Sequence, residues 1–183
     1  QEYIEKCMDY LLLALAQTSF RYHIYITDNG STDATPDILQ KLKNKFPSAI
    51  TLFMLDRNRG TTYSRNLGLK KADSRYICIM DSDVQVLTGT IEALAAFLEK
   101  NNKAGLAVPQ IVYPDGRLQK STDQFPTMGH KLYRYFFLKK MEAAENLKAT
   151  SKVPMPVDYA ISAFWLLKKS VTDKTGLLDE NIF

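Results

Sequence analysis

Histidine and cysteine are scarce in this chain, and each scarcity removes a class of chemistry. Only His23 and His130 occur in 183 residues, so a histidine metal cluster or a serine triad lacks the side chains it needs. Cys7 and Cys78 lie far apart, and Cys78 falls in an apolar run. They read as two buried thiols of a reducing compartment, not as a disulfide framework. The glycines never recur as Gly-x-Gly and no Gly-Lys-Ser/Thr loop occurs, which excludes the dinucleotide fingerprint and the P-loop. No apolar run is long enough to span a bilayer, no secretory leader pattern is found, and there is no repeat or low-complexity linker. A formal charge of +4 is too mild by itself to indicate nucleic acid.

With 45% hydrophobic residues and 24% charged ones, the chain has the composition of an ordinary globular protein, long enough for one domain over 1–183 with a real core. Ile4, Met8, Leu11, Leu12 and Leu15 recur at helical spacing. A strand is expected over 22–27, then a helix capped by Thr35 that buries Ile38, Leu39, Leu42 and Phe46 and stops at Pro47. A strand at 50–55 and a helix at 60–72 follow. The apolar run 76–80 is a buried strand, and Ile91, Leu94, Ala95 and Leu98 mark the next helix. Short strands at 106–108 and 111–113 precede a Pro114-Asp115-Gly116 turn. The stretch 126–152 reads as irregular helix, 159–167 as the last strong strand, and Ser170 as the cap of a short helix ending at Gly176. Strands alternating with helices predict a doubly wound, mainly parallel α/β sheet with flanking helices and a mixed edge.

Two loops then carry the chemistry. Asp81-Ser82-Asp83 follows the 76–80 strand directly, at the sheet edge where ligands of open α/β folds bind. Two carboxylates a residue apart repel, and a divalent cation bridging a diphosphate offsets that cost. Asp28-Asn29-Gly30-Ser31-Thr32-Asp33 joins an earlier strand to its helix; taken alone it also fits a plain turn. Between the two lie Asn58-Arg59-Gly60 and Arg65-Asn66-Leu67-Gly68, where Arg65 offers a fork of donors to a phosphate or base, or else is a solvated helix arginine. Asn66 and Gly68 are unfavourable inside a helix, which points to close packing there. His23 reads as a satisfied sheet residue and Trp165 as core.

The order of these pieces resembles the family-2 glycosyltransferases, which have the GT-A fold and invert configuration at the sugar. Tyr113-Pro114-Asp115-Gly116, Ser121 and Pro126 are similar to the subset building bacterial cell-surface polysaccharides, and 157–163 and 176–183 resemble the family's acceptor-side blocks. The resemblance implies transfer from a nucleotide-diphosphate sugar to a glycan or lipid-linked acceptor. It implies donor-nucleotide contacts from Asp28, Asn29, Asn58, Arg65, Asp81 and Ser82, and Mg²⁺ or Mn²⁺ held by Asp83 with Asp81. Asp179, then Glu180, are the acidic candidates on the acceptor side.

The family's opening strand is expected upstream of Gln1 and its Glu-Asp pair, with the usual catalytic base, beyond Phe183; the domain reads as trimmed at both ends. Ser162 stands where many relatives carry glycine. A cytoplasmic location is expected, peripheral at the inner membrane face if the basic, aromatic stretch 131–140 rests on anionic lipid. That stretch also fits a helix packing its aromatics inward, and nucleic acid is not an expected partner. Two other classes remain open: a sugar-1-phosphate nucleotidyltransferase, and a non-catalytic module binding nucleotide or nucleic acid.

Overall fold

The structure, a computed structural model, describes residues 2–123, 125 and 153–182. The expected helix over 126–152, with His130 and the basic stretch 131–140, lies outside the described residues. Two compact units are present: residues 1–107 with 163–183, and residues 108–162.

In the first unit, α1 (Glu2–Ala16) leads into β1 (Ile24–Asp28), α2 (Thr35–Lys45), β2 (Ile50–Met54), α3 (Thr61–Leu69), β3 (Tyr76–Met80), α4 (Thr90–Lys100) and β4 (Leu106–Ala107). The apolar stripe of α1 is buried at Ile4, Cys7, Met8, Leu11, Ala14 and Leu15, the i, i+3/i+4 spacing of a helix with one dry face. It joins Ile38 and Leu39 of α2, Ile50 of β2, Ile91 of α4 and Phe164 in one core. Leu39, Ile50 and Leu98 are at most 1% exposed, and burying each contributes about 1.5–3 kcal/mol of transfer free energy. The cap of α2 differs from expectation: Thr35 is already helical, and the Asp33 carboxylate accepts its N–H at 2.9 Å. No described helix is long and apolar enough to cross a membrane.

β1 and β2 pair in parallel, Ile24 opposite Ile50. The expected 159–167 strand divides into β8 (Tyr159–Ala160), in the second unit, and β9 (Phe164–Lys168), in the first. β9 lies between β3 and β4 and is antiparallel to both. The α4 crossover does make β3 and β4 parallel to each other, but β9 intercalates, so the sheet is more mixed than strand–helix alternation implies. Helix α5 (Lys169–Thr175) closes the unit. β1 is paired only with β2, and β3 only with β9, so each keeps one edge without a strand partner among the described residues.

Cys78 departs from the buried thiol expected. Solvent reaches it, yet protein surrounds it closely enough that burial pushes its thiol up to about 12. Cys7 is buried as expected.

The second unit is built from hairpins. β5 (Ile111–Val112) pairs with β6 (Leu118–Gln119) across the Pro114-Asp115-Gly116 turn, where Gly116 takes φ 82°. β7 (Thr122–Asp123) pairs with β8.

Candidate functional site

The loop after β1 is held from within. Asp28 is 5% exposed, and its Oδ2 accepts the Ser31 N–H at 3.1 Å, so its carboxylate shapes the turn it begins. Gly30 has φ 80°, and a Cβ there would lie 2.6 Å from the Arg57 Cα. The loop is thus backed directly onto the 56–60 backbone. Asn29 donates from Nδ2 to Asn58 Oδ1 at 2.8 Å and accepts the Arg59 N–H at 2.9 Å. Asn58 Oδ1 also accepts the Gly60 N–H at 2.9 Å. The two asparagines expected at the nucleotide therefore stitch two loops together, and Asn-x-Gly is the stitch.

The carboxylates stand where the strand delivers them. Asp81 follows β3, and its N–H donates to the Ala163 carbonyl at 2.9 Å. Arg65 Nη2 donates to Asp81 Oδ1 at 2.6 Å, with the arginine side chain 17% exposed and the aspartate 42%. Ser82 and Asp83 are exposed. The Cys7 thiol rests 3.8 Å from the Asp81 carbonyl; burial, and then the charge of Asp83, push it up to about 11.

No cluster of three metal-ligating side chains occurs among the described residues. The donor set still fits a hard cation. Mg²⁺ is usually held by one or two carboxylates with substrate phosphates completing its shell, and a set of that kind would be Asp83 with the Asp81 oxygen not held by Arg65.

Helix α3 links these parts. Thr27, near the end of β1, donates from Oγ1 to the Ser64 carbonyl at 3.0 Å, and Arg65 on the same helix holds Asp81. Gly68 lets the helix close on β1: a Cβ there would lie 3.2 Å from the Tyr25 Cβ. The acids at the end of the chain come to this helix too. Glu180 Oε1 accepts from Asn66 Nδ2 at 2.9 Å and Lys70 Nζ at 3.0 Å, which holds its carboxyl below the usual range. Asp179 Oδ1 accepts from the N–H and Nδ2 of Asn181, both at 2.9 Å.

Asn66 was missed as a site residue, although an asparagine inside a helix was its signal. Lys70 and Thr62 gave none. His23 precedes β1 and is exposed, meeting Thr51 Oγ1 at 2.8 Å. Trp165 packs against the Leu69, Ile77, Ile79 and Leu167 cluster, as expected of core.

Proteins similar to this chain in sequence and in architecture include glycosyltransferases. Over 174 residues the chain is 28% identical to the poly(ribitol-phosphate) beta-N-acetylglucosaminyltransferase TarS of Staphylococcus aureus, covering 81% of this chain and 30% of TarS. It superposes on the mannosyltransferase PcManGT of Pyrobaculum calidifontis, solved with GDP-Man and Mn²⁺, with a TM-score of 0.63 at 17% identity, covering 99% of this chain and 45% of that one. The S. aureus TarS 1–349 structure with UDP gives a TM-score of 0.58 at 18% identity, covering 99% and 47%. The chain thus spans less than half the length of these relatives, and its fold is GT-A. The profile of "Glycosyl transferase family 2" matches residues 1–176, and the chain belongs to that family.

Proposed function

We propose that the protein transfers a sugar from a nucleotide-diphosphate donor to a hydroxyl of a cell-surface glycan or lipid-linked acceptor, with inversion at the anomeric carbon. The observation that carries this reading is the Arg65–Asp81 pair at the carboxyl end of β3, with Asp83 exposed beside it. A half-buried guanidinium and two rim carboxylates suit a pyrophosphate with its counter-cation. Names of relatives agree: TarS acts on poly(ribitol phosphate), and PcManGT was solved with GDP-Man and Mn²⁺.

In this reading Asp28 addresses the base, its loop kept in place by Asn29 and Asn58. Arg65 orients the nucleotide and sets Asp81, with Ser82, at the ribose. Asp83, with Asp81, would hold Mg²⁺ or Mn²⁺, which supplies Lewis-acid neutralisation of the departing diphosphate. The acceptor hydroxyl attacks the face opposite the leaving group, and a carboxylate takes its proton. Asp179 is the acceptor-side acid. Glu180, whose Oε1 accepts from an amide and an ammonium that hold its carboxyl below the usual range, is a weak base and takes a different role, argued below.

Replacing Asp83 with Ala and titrating UDP and GDP with Mn²⁺ by calorimetry tests the reading. Affinity is expected to fall ~10²-fold, the scale of deleting one preorganised charged group. Unchanged affinity would end the metal assignment. A nucleotidyltransferase is separated by supplying a sugar-1-phosphate and nucleoside triphosphate, where no pyrophosphate release is expected.

A further inference from the structure

Three donors, two on one face of α3 and the third at its C-cap, converge on the same short segment. Thr62, Asn66 and Lys70 recur every four residues, which aligns them along the helix. Thr62 Oγ1 donates to the Ile182 carbonyl at 2.7 Å. Asn66 Nδ2 donates to the Leu178 carbonyl at 2.8 Å and to Glu180 Oε1 at 2.9 Å, while its Oδ1 accepts the Leu178 N–H at 3.0 Å. Lys70 Nζ completes the row on Glu180 Oε1 at 3.0 Å. Asn66 is 1% exposed, one of two buried polar residues among those described. Asparagine is disfavoured within a helix, and burying an amide is costly unless its donors and acceptor are matched. Here both N–H groups and the carbonyl oxygen find partners more than a hundred residues along the chain.

The preceding residue adds the functional link. Arg65 holds Asp81, at the rim of the donor site, while Asn66 holds the segment carrying Asp179 and Glu180. Consecutive side chains of one helix therefore grip the donor-side and acceptor-side acids.

We propose that Asn66 is a positioning residue: its amide docks the 178–182 segment on α3 and so sets Asp179 relative to Asp81, with Glu180 as the anchor the amide grips. This rests on the glycosyl-transfer reading above. In-line displacement needs the attacking oxygen within a near-attack distance, and a misplacement of about 1 Å can cost ~10²-fold in rate. Loosening the dock affects turnover and leaves nucleotide binding, which runs through Arg65, Asp81 and Asp83, in place.

The test uses the full-length protein and the Asn66→Ala and Asn66→Asp variants. Three quantities are measured: hydrogen exchange at the Leu178 amide, calorimetric binding of UDP and GDP with Mn²⁺, and kcat and KM for the sugar nucleotide that the wild type turns over. For Asn66→Ala, exchange at Leu178 is expected to rise at least ~10-fold, nucleotide affinity to stay within about threefold, and kcat to fall ~10²-fold with little change in KM. In Asn66→Asp the new carboxyl still accepts the Leu178 N–H but can donate to Glu180 only when protonated. Its kcat should recover as pH is lowered towards about 5, and that of Asn66→Ala should not.

Unchanged exchange at Leu178, or a loss of nucleotide affinity matching the loss of kcat, overturns the proposal. If Asn66→Ala does not fold, Lys70→Met removes a donor from an exposed position and should give the same effects, smaller; no effect on exchange at 178–182 again overturns it. A wild type that binds neither nucleotide refutes the glycosyl-transfer reading, while exchange at Leu178 still decides whether Asn66 docks the segment.

Discussion

Arg65 and Gly30 hold the candidate site by different physics, and their variants should fail differently. Arg65→Ala leaves Asp81 without its partner, but Asp81 is 42% exposed, so water screens much of the loss. A destabilisation of about 1 kcal/mol in urea melts is expected, together with weaker UDP–Mn²⁺ binding. Gly30→Ala meets backbone instead: the added Cβ would sit 2.6 Å from the Arg57 Cα, and φ at 80° is unfavourable for any side chain. The atoms it meets are all backbone of Arg57, which cannot swing away as a side chain can. A loss of at least about 1–3 kcal/mol follows from forcing a non-glycine residue into this conformation, and urea melts that superpose on wild type would contradict it. The strain falls on the loop bearing Asp28, so nucleotide binding should weaken with it.

Among elements, α3 is built against its own propensities. Gly68 in place of alanine costs a helix interior about 1 kcal/mol, yet an alanine Cβ would press to 3.2 Å on the Tyr25 Cβ. That atom belongs to β1, whose backbone is clamped to β2 along its whole length. The contact should win over the propensity gain. Gly68→Ala is expected to lower stability by up to about 1–3 kcal/mol, as overpacking does, and a stabilised variant in urea melts would show that the helix can shift. Leu98 of α4 is fully buried, and Leu98→Ala should cost about 2–5 kcal/mol through lost burial and a residual cavity, without altering nucleotide affinity.

For the whole molecule, acid titration separates groups whose carboxyls the fold holds down. The Thr35 hydroxyl and N–H hold Asp33 at about 2, against 3.8 for the free side chain. Asn66 and Lys70 lower Glu180 from 4.5. A depressed folded pKa stabilises above the unfolded value and loses that contribution as pH falls through the folded one. The stability gap between wild type and Asp33→Asn should therefore be constant above about pH 5 and close towards pH 2. A gap that persists undiminished at pH 2, measured by urea melts across the range, would contradict the assignment.

What was legible in the residues alone was whatever depends on neighbours in sequence. Period 3.6 at Ile4, Met8, Leu11 and Leu15 and at Ile91, Ala95 and Leu98 gave helices with those faces buried. The apolar run 76–80 gave the strand that delivers Asp81 and Asp83, and the order of loops gave the family. Tertiary structure alone decided which partners each polar group meets. Asn29 meets Asn58, Arg65 meets Asp81, and Asn66 meets Glu180 across 114 residues. It also decided that β9 slips between β3 and β4 and that Cys78 is open to solvent. Periodicity reports which side of an element is dry, because burial of apolar surface is non-directional. Hydrogen bonds and ion pairs are directional and short-ranged, so their partners exist only once distant segments have been packed together.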